Sequence, residues 1–151
     1  MTWSDRLAEL GIKLPAVPAP VASYVPAVRT GSLVYTSGQV PIADGKVVAT
    51  GKVGGDISPE QGADLARICA LNALAAVDSL VGIDSVTRVV KLVGFVASAE
   101  GFGGQPAVIN GASNLIGEIF GDAGLHARAA VGVAELPLNV PVEVEMIVEV
   151  A

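Results

Sequence analysis

The tetrapeptide Ser58-Pro59-Glu60-Gln61 constrains the fold of this chain more tightly than any other stretch, because it sets the first turn of a helix. Ser58 suits the N-cap, Pro59 takes the first helical position, where its missing N–H costs nothing, and Gln61 completes a reciprocal capping box. Leu65, Ile68, Leu71, Leu74 and Val77 then share one apolar face, while Asp64, Arg67, Asp78 and Ser79 stay polar. Gly82 supplies the stop, so a helix of over twenty residues is predicted. The run that follows, Val86 to Val96, is almost continuously apolar apart from Arg88 and Lys91 and reads as a strand covered on both faces.

Other elements follow from periodicity and punctuation. Ser4 to Leu10 reads as a short helix with Trp3, Leu7 and Leu10 on one side and Gly11 as its stop. Pro15, Pro18, Pro20 and Pro26 then exclude helix, which leaves an extended arm leading into a first strand from Ser23 to Arg29. Leu33 to Ser37 is a second strand, and Asp44-Gly45 marks a hairpin between Val40-Pro41-Ile42 and Lys46-Val47-Val48. A second helix is predicted from Pro106 to Phe120, weakened by Gly111 and Gly117, and two strands close the chain at Ala127 to Ala134 and Val142 to Val150. Strands, helix, strand, helix and strands in that order predict an α+β fold with two helices packed on one face of a mixed sheet. Residues 1–22 form the expected N-terminal helix and arm, and residues 23–151 the expected domain.

Composition bears on partners. At 151 residues the chain suits one domain, yet 52% of it is apolar and only 16% charged. That exceeds what a small core needs, and no run reaches the eighteen or so apolar residues of a membrane span. A buried interface between copies of the chain is the simpler outlet, so a homo-oligomer is expected and a membrane is not. The net charge of −6 and the scattered basic residues argue against a nucleic-acid surface. The start of the chain lacks the basic and apolar regions of a secretory signal, which makes cytoplasm the expectation. With one His and one Cys, no structural metal cluster is expected, and Cys69 in its apolar helical setting reads as a small buried hydrophobe. Gly51, Gly54 and Gly55 lack phosphate-loop spacing and read as a flexible loop.

Two strands could carry chemistry. In Ala127 to Ala134, two-residue alternation puts Arg128 on a face otherwise made of Ala130, Gly132 and Ala134. A guanidinium with small neighbours can grip a carboxylate through two parallel hydrogen bonds; an ion pair with an acidic residue across the sheet or an interface fits the spacing equally well. In the last strand Glu143, Glu145 and Glu149 alternate with a Val and Met core face, as either a solvated row or a proton-handling site. His126 stands beside the Arg strand with no Ser or Cys nucleophile in a local motif next to it, which favours a loop or strand-start role.

These residues resemble a known family. Ser37-Gly38-Gln39-Val40-Pro41 looks like the "SGQ-hydrophobic-P" signature of RidA/YjgF proteins, Val108-Ile109-Asn110 their "VN" helix element, and Val142-Glu143-Val144-Glu145 their closing "V-E-I-E". Ala127-Arg128-Ala129-Ala130-Val131 with Val133-Ala134-Glu135-Leu136-Pro137 is similar to their "P-A-R-S/T-x-V-x-V-A-x-L-P" strand. Tyr24 falls at the family's tyrosine and Asn72 at the helix Asn, and the stretch before Ser23 looks like the extension of a longer branch. The resemblance implies a chorismate-mutase-like sheet, a trimer with intersubunit clefts, and no cofactor or metal. It further implies a 2-iminobutanoate/2-iminopropanoate-type deaminase, an enzyme that hydrolyses enamine or imine intermediates to 2-keto acids and ammonia. Carried over by position, Arg128 grips the substrate carboxylate, Glu143 places the water, and Tyr24, Ser37, Gly38 and Asn110 line the cleft. Departures stand at Ala130, where the family often has Cys, at His126 in place of Pro, at Ser23 before the tyrosine, and at Pro26. Loss of the Cys keeps a second reading open, a non-catalytic binding protein for small carboxylic acids such as 2-keto acids. Endoribonuclease activity ranks lower on charge, and chorismate mutase lower still, since one Arg is thin for a dicarboxylate.

Overall fold

A computed structural model describes residues 1–17 and 23–151. Pro18 and Pro20 of the expected arm lie outside the described residues. Helix α1 spans Trp3–Glu9 and is capped by Thr2, whose Oγ1 accepts from the Asp5 N–H while its own N–H donates to the Asp5 carboxylate, a capping box. The Trp3 indole donates to the Val86 carbonyl at 2.7 Å and meets Phe120 edge-on at 5.0 Å, which seats this short helix on the body.

Strands β1 (Ala27–Thr30) and β2 (Leu33–Thr36) pair antiparallel, and a small separate hairpin joins β3 (Ile42–Ala43) to β4 (Lys46–Val47). Then come α2 (Pro59–Val81), β5 (Val86–Ala97), α3 (Gln105–Phe120), β6 (Ala127–Val133) and β7 (Val142–Val150). The main sheet runs β1-β2-β7-β5-β6, with β5 and β6 parallel and the other neighbours antiparallel. The result is a mixed α+β fold with three helices, of which α2 and α3 cover one sheet face. No helix among the described residues is long and apolar enough to cross a membrane.

The first strand starts four residues later than expected, at Ala27. Pro26 has no N–H to give a ladder, and its carbonyl instead accepts from the Ser37 N–H at 2.8 Å. Helix α2 begins and ends where its caps place it, but its buried stripe departs from expectation at Ile68 and Leu71. Ala66, Cys69, Ala70 and Ala73 are fully buried, whereas Ile68 and Leu71 are only half-buried. Small side chains bring the helix axis close to the sheet and to α3. At the tightest point Gly111 of α3 lies against the Ala63 backbone, where any Cβ would overlap the carbonyl.

Strand β5 departs from expectation in its covering. Val86, Val89, Leu92 and Val96 are buried beneath the helices, while Thr87, Arg88 and Lys91 are exposed and Val93 and Phe95 half-buried on the other side. Within one chain that second face is open. The register places Val28, Tyr35, Ile147, Phe95 and Val131 along it.

Candidate functional site

Asn110 and Ser113 lie three residues apart on α3 and share a helical face. Arg128 of β6 pairs with buried Leu92, so its side chain rises on the helix-covered face of the sheet, toward those two residues. Its Nη1 donates to Asn110 Oδ1 at 2.8 Å and to Ser113 Oγ at 3.2 Å. His126, at the start of the same strand, completes the group. Its Nε2 is 2.9 Å from Ser113 Oγ, and its Nδ1 is 2.6 Å from the Gly124 carbonyl.

Donor and acceptor roles here follow from chemistry. A guanidinium only donates, so Asn110 presents its oxygen to Arg128 and turns its NH2 away. The Gly124 carbonyl only accepts, so His126 Nδ1 carries the proton and neutral His126 offers Nε2 to the Ser113 hydroxyl. Arg128 Nη1 is thereby committed to α3. Its Nε and Nη2 have no hydrogen-bond partner among the described residues, and no carboxylate there lies within ion-pair distance of it. That Nε/Nη2 edge is the side-on fork that matches one carboxylate with two parallel bonds.

The small neighbours of Arg128 serve a purpose that sequence reading did not anticipate. A Cβ on Gly132 would stand 2.7 Å from Gln105 Nε2 and 3.0 Å from Ser98 Oγ, so this residue makes room for the start of α3. Ala130 packs against the hydrophobic core. A separate cleft of about 400 Å³ opens beyond the end of β6, lined by Gly51, Lys52, Asp56, Glu135 and Asn139 among others. It holds none of the expected site residues, and Lys52 is neutralised there by Glu135 at 2.9 Å.

Glu143 belongs to a second group. It pairs with Phe95, which alternates away from buried Leu92 and Val96, so its carboxyl lies on the open face of the sheet. Gly38 makes this possible: a Cβ there would stand 2.9 Å from the Glu143 side-chain carbon. Burial pushes the Glu143 carboxyl above the usual carboxylate range, and the nearby Glu145 charge adds to the effect. Ser37 Oγ donates to the Val25 carbonyl at 2.6 Å, which ties the segment after Tyr24 to the end of β2, and Tyr24 itself is 59% exposed.

The expected site residues therefore fall into two sets. Arg128 and Asn110 stand on the helix side of the edge strand. Ser37, Gly38 and Glu143 gather around β2 and β7, and Tyr24 precedes the Val25 carbonyl that Ser37 holds. Strand β5 separates β6 from β7, a span of about 10 Å across the sheet, and Arg128 and Glu143 point to opposite faces. In one chain they face apart.

Ser113 is the residue that sequence reasoning missed. The available signal was its i+3 spacing from Asn110; the partner His126 lies 13 residues further on, beyond any local motif. Cys69 is buried, with its thiol raised well above the usual range by burial first and by Glu143 second, and its Sγ donates to the Val142 carbonyl at 3.6 Å. Asn72 is structural as well. Its amide donates to the Val40 and Ile42 carbonyls and fastens the β3–β4 segment to α2. No group of three His, Cys, Asp or Glu that could hold a metal occurs among the described residues.

Comparison with known proteins supports the motif reading. Residues 15–150 match a family model described as Endoribonuclease L-PSP. Protein TCP17 of Trypanosoma cruzi is 45% identical over 146 residues, 95% of this chain and 91% of that protein. A 2-iminobutanoate/2-iminopropanoate deaminase of Dermatophagoides farinae is 35% identical over 138 residues, 91% of this chain and 93% of the other. Among solved structures, the protein Atu1372 of Agrobacterium tumefaciens, described as of unknown function, superposes with a TM-score of 0.91 at 46% identity. That match covers 99% of this chain and 92% of that one.

Proposed function

The chain belongs to the RidA/YjgF family, whose model bears the description Endoribonuclease L-PSP, and from that premise we propose that it is a deaminase of small carboxylate-bearing imines and enamines. The observation that carries this reading is the Arg128 guanidinium, fixed through Nη1 and left with a side-on edge for one carboxylate. Several relatives bear the name of 2-iminobutanoate/2-iminopropanoate or reactive-intermediate deaminases, which supports the same substrate class.

An imine is already electrophilic, so the site has to hold the anion, admit a water and pass protons. Water adds to the C=N carbon and loses a proton toward the Glu143 carboxylate while the nitrogen gains one. The carbinolamine nitrogen then takes a second proton, supplied in balance by the hydroxyl as its oxygen becomes the carbonyl, and the C–N bond breaks to release ammonia and a 2-keto acid. A carboxyl held above its usual range exchanges protons more readily near neutrality, which suits Glu143 to this role. No step requires a cofactor or metal.

Because Arg128 and Glu143 face apart within one chain, we propose that the site is completed between copies, one giving the Arg128 set and the next the Glu143 set. A closed trimer is the expected assembly. The open sheet face favours such a contact: Val28 is 53% exposed, and Tyr35 and Val131 are each 43% exposed, in line with Phe95 and Ile147. Obligate interfaces resemble that kind of surface. An RNA substrate is disfavoured by the net charge of −6.

The test is ammonia release from freshly generated 2-iminobutanoate or 2-aminoacrylate, measured against buffer. We expect acceleration by the wild type, its loss in Arg128→Ala to the extent of about a hundredfold in kcat/KM, and a fall dominated by kcat in Glu143→Gln. Binding of 2-ketobutyrate without ammonia release would replace catalysis with the binding-protein reading. No binding at all would remove the Arg-centred site.

A further inference from the structure

The Ser113–His126 pair has no place in the deaminase reading, yet it is built into the same cluster. Ser113 stands on α3 and His126 just before β6, so the packing of these two elements brings the pair together. Both side chains are half-buried, and each polar atom of the pair is used. His126 Nδ1 is held by the Gly124 carbonyl at 2.6 Å, which fixes the ring and its tautomer. The free Nε2 lone pair accepts a hydrogen bond from the Ser113 hydroxyl at 2.9 Å, which turns the hydroxyl lone pairs toward Arg128. Arg128 Nη1 then donates into that oxygen at 3.2 Å.

We propose that His126 is a positioning residue of the anion site, acting through Ser113 to hold the Arg128 guanidinium with its Nε/Nη2 edge directed at one substrate carboxylate. The inference rests on the Arg128 reading above and adds to it the residues that aim the clamp. The physical reason is that a guanidinium anchored by Asn110 alone can still swing about one hydrogen bond. Two anchors on the same nitrogen, 2.8 and 3.2 Å long, fix the plane of the fork. A planar bidentate contact loses strength steeply when its plane turns, so the second anchor governs affinity rather than the chemical step. With Nη1 withdrawn from the ligand, the clamp takes a single carboxylate, which selects small monocarboxylate 2-oxo and 2-imino acids over dicarboxylates whose second acid would need its own cation.

Since His126 is the chain's one histidine, its tautomer can be read in the unmodified protein from the ring 15N shifts. The proposal requires the proton on Nδ1 and a change in the Nε2 shift on saturation with 2-ketobutyrate. A ring protonated on Nε2 when neutral, or a ring blind to the ligand, overturns it. Calorimetric titration of 2-ketobutyrate supplies the second test. His126→Leu and Ser113→Ala are each expected to weaken binding about tenfold, as for one lost orienting hydrogen bond. Because the two act in series, the double variant should bind no more weakly than Ser113→Ala alone. His126→Gln, whose Oε1 can accept from Ser113, should recover most of the loss. In turnover these changes should raise KM and leave kcat nearly unchanged. Losses that multiply in the double variant, or full affinity in His126→Leu, overturn the proposal. Arg128→Ala is run in parallel. If it binds as the wild type does, the Arg-centred site itself fails; if it loses binding while His126→Leu keeps it, only the positioning role fails.

Discussion

Helices α2 and α3 lie side by side on one sheet face, and they are held in place by different means. Helix α2 carries its own definition: Ser58 and Gln61 exchange capping bonds, Pro59 opens the first turn, and the Gly82 N–H closes on the Asp78 carbonyl. Helix α3 has Gly104 at its N-cap with no side-chain bond, and Gly111 and Gly117 lie within it. Its position comes from contact. Gly111 sits against the Ala63 backbone of α2, and Ile109, Leu115 and Ile116 are fully buried. The helix that is weaker by itself is also the one that presents Asn110 and Ser113 to Arg128. Stability that is local sets a scaffold; stability borrowed from neighbours places a site.

Three substitutions break or sharpen this contrast. Gly111→Ala has the largest expected effect, because the added Cβ overlaps the Ala63 carbonyl and the helices must separate. We expect a loss of about 3 kcal/mol in denaturant unfolding, together with weakened binding of 2-ketobutyrate as Asn110 and Ser113 move away from Arg128. Unchanged affinity in a folded Gly111→Ala protein would break the link between helix contact and site. Ser58→Ala removes only the α2 cap and should cost about 1 kcal/mol while leaving affinity untouched. Gly117→Ala is expected to act in the opposite direction from Gly111→Ala. Its site has open space for a Cβ, so the gain in helix propensity should stabilise the protein by roughly 0.5–1 kcal/mol. Destabilisation there would mean that the two glycines serve one role.

The candidate site divides along the same line. Arg128 and Glu143 could be found because strand alternation and the family motifs depend on neighbours two to five residues away. Asn110 came from a helix motif for the same reason. Ser113 could not be found that way: its partners His126 and Arg128 are 13 and 15 residues distant, and only the seating of α3 over β6 brings them together. On α2, Leu65, Leu74 and Val77 are buried as their spacing predicts, and only Ile68 and Leu71 depart from it, for a related reason. Counting the largest apolar residues favoured Ile68 and Leu71, whereas close approach to α3 and the sheet rewards Ala66, Ala70 and Ala73.

By itself the sequence determined the caps of α2, the Asp44-Gly45 hairpin, the alternation of β6 and β7, and membership of the RidA/YjgF family. Each is encoded in hydrogen bonds or periodicities that close within a few residues. Tertiary structure alone decided that Arg128 and Glu143 lie on opposite sides of the sheet, that His126 reaches Ser113, and that one sheet face stays bare. Those outcomes depend on strand order, on register and on how near two backbones can come. A chain settles them only when its segments are packed together.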